Sequence, residues 1–210
     1  MRAVVPFLLL FATACISPMA VEPMSVPLEY KTVADPDEYE RLSDCAALSD
    51  IRVIDARTDK TLGKRYIQGV GDPWADVTTD SNVAAWVASG VVAGFKNAGA
   101  SMAVDGKPVL HISVDEISTK ENVYFAGGYE AHVVISGELV GKNGKSCWKD
   151  QVKGSGENYG YAGRIDNYQE TLNHALDRAV IEMVISLQSD ICECGQEEEE
   201  PASRPALNRY

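Results

Sequence analysis

The sequence is poor in histidine, has no dense basic cluster, and beyond its first fifteen residues holds no apolar run long enough to cross a bilayer. His111, His132 and His174 are dispersed, and no second ligand pair lies near the single Cys-x-Cys, Cys192 and Cys194. A structural metal is therefore not expected, and no cofactor motif is present. The net charge is −12 at pH 7, and the nearest thing to a basic stripe is Lys142, Lys145, Lys149 and Lys153. On a strand, Lys145, Lys149 and Lys153 share one face, which reads as the solvated side of a half-buried sheet, so nucleic acid is excluded as a partner. The segment 141–146 ends in Gly-Lys-Ser like a phosphate-binding loop, but Leu139 stands where that motif needs its first glycine and no helix follows.

What is present starts at the N-terminus. Arg2 precedes an apolar stretch, residues 4–11, too short to span as a mature helix, and Ala12-Thr13-Ala14 then leads into Cys15. A thiolate accepts a lipid group, and the peptidase that follows needs small side chains just upstream. The stretch resembles the lipobox of bacterial lipoproteins, with Ala12 where leucine is favoured. Residues 1–14 are read as a signal peptide and Cys15 as the lipidated terminus of the mature chain. Each buried methylene contributes about 0.8 kcal/mol, so several acyl chains on one cysteine hold a protein at a membrane without a spanning helix.

The rest of the 210 residues, 45% hydrophobic, suits one globular domain with flexible ends. Residues 15–44, with Pro18, Pro23, Pro27 and Pro36, read as the lipidated start and an extended tether reaching on the order of 30 Å. Residues 45–190 form the domain, and residues 191–210, with the glutamate run 197–200, read as an acidic disordered tail. Cys45, Cys147, Cys192 and Cys194 meet oxidising conditions after export and allow three pairings. Cys45 with Cys147 is the preferred bridge, which leaves the state of Cys192 and Cys194 open.

Within the domain, residues 51–57 suggest a strand. Asp80-Ser81 offer N-caps for a helix through Val83, Trp86, Val87, Val91 and Phe95 that ends near Gly99, with Gly90 and Gly94 expected to let it lie close on a sheet. Residues 109–117 alternate as a half-buried strand. A second strand spans about 124–140, with a bulge expected at Gly127-Gly128, and Asn143-Gly144 signals a type I′ hairpin turn. A third strand starts at Ser146 and frays at Gly154-Ser155-Gly156. Asp166 with Gln169 resembles a capping box ahead of the stripe Tyr168, Leu172, Ala175, Leu176, Ala179, Met183 and Leu187. The order β-α-β-β-β-α implies an α+β two-layer domain, an antiparallel-rich sheet with both helices on one face.

No constellation demands catalysis. Alternation sends Asp115 and Glu116 to opposite faces, and spacing ties no serine or cysteine to His111 or His132, so no enzyme is expected. Asp55 and Arg57, at i and i+2 of the first strand, suit a salt bridge that pins the following loop. With Trp74, in a Gly-rich loop after Pro73, they are also candidates for a surface that meets an envelope protein or a glycan. Tyr159 and Tyr161 could add contact area there.

The run Asp55-Ala56-Arg57-Thr58-Asp59-Lys60-Thr61-Leu62, followed by the helix, the Asn-Gly hairpin and the last helix ending in Ser189-Asp190, resembles the YajG-like family of bacterial lipoproteins. The resemblance implies an outer-membrane lipoprotein facing the periplasm, with no established activity to carry over. Ile16 after the cysteine is compatible with outer-membrane sorting. The function expected is a non-catalytic binding or assembly module, anchored through its N-terminal lipid. The alternative is an accessory lipoprotein of an envelope transport system that binds a lipid-like ligand. The oligomeric state is not legible.

Overall fold

The strand expected over residues 109–117 runs on to Tyr124, and it is the spine of the domain. The computed structural model describes residues 23–66, 73–124 and 126–194. In chain order the elements are β1 Met24–Ser25, β2 Ala47–Leu48, β3 Asp50–Asp55, β4 Gly63–Tyr66, β5 Pro73–Thr78, α1 Val83–Asn97, β6 Ser101–Met102, β7 Val109–Tyr124, β8 Ala126–Val140, β9 Ser146–Gly160, α2 Ile165–Leu187 and α3 Asp190–Cys194. The main sheet runs β1-β5-β4-β7-β8-β9, while β2 and β6 form a small parallel pair. β7, β8 and β9 are antiparallel, as expected. β3 and β4 both run parallel to β7, β3 beside residues 109–114 and β4 beside residues 119–122, so one edge of β7 is paired twice with a loop between. The sequence pattern misses β4 and β5: Gly63-Lys64-Arg65-Tyr66 has no apolar alternation and is a strand only through its neighbours.

Both main helices cover the same face of the sheet, α2 across β8 and β9 and α1 beside α2 and β3, which makes the two-layer α+β domain. The stripe from Tyr168 to Leu187 is buried throughout against Val133, Ile135 and Leu139 of β8. Gly90 and Gly94 face α2 and not the sheet. A Cβ on Gly90 would lie 2.6 Å from Leu176, and one on Gly94 would lie 2.3 Å from Val180 and 2.9 Å from the Tyr39 ring. The glycine face thus serves helix–helix contact within the layer.

β9 does not fray at its glycines. It continues to Gly160, because bare backbone at Gly154 and Gly156 lets α2 sit directly on the strand. A Cβ on Gly154 would fall 1.9 Å from the Ala175 carbonyl oxygen and 2.3 Å from the Ala179 nitrogen, and backbone of a helix cannot step aside alone. Gly154→Ala is expected to destabilise by about 1–3 kcal/mol or more through overpacking, read as a lower urea midpoint with unchanged slope. A midpoint equal to that of the parent would refute this contact.

Local details shift with packing. The N-cap of α1 is Asn82, whose Oδ1 accepts from the Ala85 amide at 3.0 Å, while Ser81 Oγ accepts from the Leu28 amide at 2.9 Å. The expected capping box at Asp166 and Gln169 does not form. α2 begins one residue before Asp166, which pairs with Arg164 at 2.8 Å, and Arg164 as N-cap makes no side-chain cap. The hairpin turn is not type I′: only Gly144 has positive φ, at 77°, and Gly144 N donates to Gly141 O. This is a turn closed by one left-handed glycine, with a register shift at Val140. The ladder stays regular at Gly127-Gly128, and the β7–β8 bulge falls at Asp115 instead.

The tether expectation is corrected from residue 23 onward. Val26, Tyr39 and Leu42 are buried, and Asp177 on α2 accepts hydrogen bonds from Tyr30 Oη at 2.7 Å and from the amides of Val33 and Ala34 at 2.7 and 2.9 Å. Burial and the bond to Asp177 push the Tyr30 phenol up to about 12. A proline-rich segment without periodicity can still pack when a buried carboxylate gathers its amides.

The disulfide pairing is corrected too. Cys45 bonds Cys192 and Cys147 bonds Cys194, with Cα separations of 5.4 and 5.6 Å. The Cys-x-Cys sits on α3, which extends the fold past residue 190, so its two thiols reach two different strands of the chain: the N-terminal segment and the start of β9. Ile191 is buried beside them. The tail reading therefore holds nothing for residues 191–194, and residues 195–210 lie outside the described part, as does Cys15.

Candidate functional site

Because both helices lie on one side, the other face of the sheet carries no helix among the described residues, and its features follow from the bulge in β7. Ile112, Val114, Ile117 and Thr119 point inward, so the ordinary alternation is interrupted once, between Val114 and Glu116. An inserted residue resets strand parity, and Asp115 and Glu116 both end up on the outer face. The expectation that they diverge is thereby overturned.

Asp115 is then held by its neighbours. Ser113 Oγ donates to Oδ1 at 2.9 Å, Ser136 Oγ to Oδ2 at 2.5 Å and Gln151 Nε2 to Oδ2 at 2.9 Å. Partial burial alone would raise its pKa, but the bonds from Ser136, Gln151 and Ser113 together hold the carboxyl below its ordinary value. Asp115 is thus a fixed anion at neutral pH that accepts three hydrogen bonds, which suits orientation of the face better than proton transfer.

Beside it, where the chain leaves β3 and rejoins β7 as β4, the loop 56–62 opens a cleft of about 580 Å³. Its lining includes Thr58, Asp59, Glu116, Ser118, Lys120 and His132. Arg57 forms its wall. The Arg57 side chain is almost fully buried and binds both oxygens of Asp55, through Nε at 2.9 Å and Nη2 at 3.0 Å, while Nη1 donates to the Thr61 carbonyl at 3.2 Å. The hydrogen bond from Arg57 lowers the Asp55 carboxyl to about 2. Asp55 and Arg57 therefore form the expected loop-pinning salt bridge. Trp74 belongs to β5 by its backbone, and its side chain lies outside the described residues. Tyr159 and Tyr161 are both exposed, Tyr159 on β9 itself.

A smaller opening of about 360 Å³ lies on the same face toward the hairpin, lined by Arg52, Ile54, His111, Glu138 and Lys149 among others. Ile54, which broke the alternation of its strand, stands 64% exposed at its rim. The two histidines are thus placed in separate openings. His132 does meet a serine: its Nδ1 lies 2.9 Å from Ser155 Oγ, a cross-strand neighbour that spacing alone could not supply. Among the described residues no carboxylate bonds the other ring nitrogen, so the pair lacks the orienting third group of a nucleophile–base system. The described residues hold no group of three metal-capable side chains, and no described helix is long and apolar enough to cross a membrane.

Sequence reasoning missed a buried anion at the far end of the sheet. Glu121 of β7 is 0% exposed and accepts from Tyr168 Oη at 2.7 Å, Tyr129 Oη at 3.1 Å, Arg65 Nε at 3.1 Å and the Gly163 amide. Burial pushes its pKa up, but the donors from Tyr168, Gly163 and Arg65 outweigh this and keep it below the ordinary glutamate value. The cluster fastens the start of α2 to β4, β7 and β8. Its role is structural, since no opening reaches it among those found on the outer face.

No protein-family model matches the sequence, and no curated protein matches it. The fold is similar to that of a Xanthomonas campestris protein of the DUF330 family, with a TM-score of 0.50 and 11% identity over 80% of this chain and 98% of that one. Also similar are a minor lipoprotein of Acinetobacter baumannii and a candidate lipoprotein of Caulobacter crescentus. For the first the TM-score is 0.40, with 4% identity over 67% of this chain and 93% of that one. For the second it is 0.38, with 15% identity over 61% and 89%. Proteins named as lipoproteins therefore occur among the solved structures this chain is similar to.

Proposed function

We propose that the chain is a non-catalytic, lipid-anchored module of the bacterial cell envelope, of the YajG-like lipoprotein kind, that binds or assembles with another envelope component. The observation that carries this reading is the arithmetic of thiols. Of five cysteines, four pair in two disulfides, and the odd one, Cys15, stands at the end of the apolar leader. Disulfides belong to an oxidising compartment outside the cytoplasm. An unpaired cysteine in an exported chain needs a use, and one that follows Ala12-Thr13-Ala14 has a ready one as an acyl acceptor. Ile16 after the cysteine is compatible with sorting to the outer membrane, facing the periplasm.

The packing of residues 23–44 tightens the geometry of the anchor. Only residues 16–22 separate Cys15 from the packed segment, so the body stays within about 30 Å of the bilayer even at full extension. The exposed sheet face, with its held Asp115 and the cleft beside Arg57, is the surface offered to a partner. Cys15→Ala is expected to abolish metabolic acyl labelling and move the protein from the membrane to the soluble fraction, with both disulfides intact by peptide mapping. Labelling that persists in the variant, or a mature N-terminus beyond residue 15, would contradict the proposal.

A further inference from the structure

We propose that the lysine row on the outer face of β9 is a docking site for an acidic stretch of polypeptide, and that its occupant is the chain's own glutamate run, residues 197–200. Lys149 and Lys153 of β9 are exposed, about 13 Å apart along the strand, whereas Lys145 precedes β9 across the register shift at Val140 and, contrary to expectation, does not share their face. Among the described residues none of the three forms an ion pair. Opposite Lys149 and Lys153 on β8 stand Glu138 and Val134, so a single carboxylate faces the pair.

The bridge between Cys147 and Cys194 decides where the acidic run departs. It holds the end of α3 at the first residues of β9, with the Cα atoms 5.6 Å apart. The Cys194 carbonyl oxygen packs against Gly141 of the hairpin, 3.3 Å from where a Cβ would lie. Lys149 follows Cys147 by two residues and Lys153 by six, so they lie about 7 and 20 Å along the strand. Glu197 follows Cys194 by three residues and Glu200 by six, with maximum reaches of about 11 and 21 Å. Cys194 packs against the core on the helix-covered side, and β9 is the edge strand of the sheet, so the run reaches Lys149 by passing round that edge, within the length it has.

A segment tethered at this distance has an effective concentration in the millimolar range, so contacts too weak to join separate molecules are populated within one. The chain as a whole is net acidic, at −12 at pH 7, so averaged over its surface the run meets net repulsion. At Lys149 and Lys153, four carboxylates meet two ammonium groups. Docked there, the run covers the row and shields it from other anionic surfaces. This contact is independent of the lipid anchor, and its failure would leave the proposed function untouched.

The test is zero-length carbodiimide coupling of the full mature chain with its disulfides intact, mapped by peptide mass spectrometry. The expected result is coupling of the glutamates 197–200 to Lys149 or Lys153 within monomers. Its yield should fall about fivefold in 1 M salt, where the screening length drops to about 3 Å. A second readout avoids the coupling chemistry. With all four glutamates changed to glutamine, amine acetylation of Lys149 and Lys153 is expected to speed up about twofold while Lys31 and Lys96 stay unchanged. Links between two copies, links spread evenly over Lys31 and Lys96, no links at all, or unchanged acetylation would overturn the proposal.

Discussion

Opening both disulfides, by Cys45→Ser with Cys192→Ser and Cys147→Ser with Cys194→Ser, is expected to bring the domain to the edge of unfolding. The bridges close stretches of 147 and 47 residues. In the chain-entropy model loops of this size stabilise by about 4–5 kcal/mol each, against a total stability of about 5–15 kcal/mol for a typical domain. The physical cause lies in the unfolded chain, which gains freedom when the links are gone, and in α3, which is too short to hold a helix unaided. Each pair of substitutions alone should lower the denaturation midpoint clearly. Equilibrium unfolding by guanidinium, followed by near-ultraviolet circular dichroism with and without reductant, would read it. Peptide mapping without reductant should recover Cys45 linked to Cys192 and Cys147 linked to Cys194. A Cys45–Cys147 peptide, or midpoints that ignore reductant, would refute the assignment.

The second large effect is expected at Glu121. Glu121→Ala removes the acceptor shared by Tyr168, Tyr129, Arg65 and the Gly163 amide, leaving a largely buried guanidinium and two phenols without it. Breaking a buried pair from one side typically costs about 3–5 kcal/mol, and the loss should concentrate at the N-terminal end of α2. Glu121→Gln keeps the shape and drops the charge, so it should cost less and change the pH response. The sign follows from the lowered carboxyl: its stabilisation is fully present above the ordinary glutamate value near 4.5 and is lost as pH falls through the folded value. The parent should therefore lose stability on acidification more steeply than Glu121→Gln. The residual slope in the variant belongs to other lowered carboxyls such as Asp55 and Asp115. Superimposable acid limbs would show that the buried cluster does not bind its proton differently in the folded state.

Glu121 also shows why part of the design is illegible in sequence. Read with strict alternation from Leu110, Ile112 and Val114, position 121 falls on the solvent side and a glutamate there is unremarkable. The bulge at Asp115 shifts parity by one, which buries Thr119 and Glu121 and turns Asp115 and Glu116 outward together. A single inserted residue has no signature of its own in a run of polar and β-branched residues. The partners of Glu121 come from Arg65, Tyr129, Gly163 and Tyr168, which are distant in the chain and meet only after the sheet and α2 dock.

The sequence by itself determined the class of fold, the stripes of both helices and the strands from residue 109 on, because hydrophobic periodicity is a local property that a window of a dozen residues displays. It also marked the neighbouring charges of Asp55 and Arg57. Only the tertiary structure decided which cysteines pair, where the bulge lies, why Gly154 and Gly156 must be bare, and that a proline-rich segment from residue 23 packs on Asp177. Each of these is a long-range choice among alternatives that are locally equal, settled by which surfaces come within contact once the helices lie on one face of the sheet.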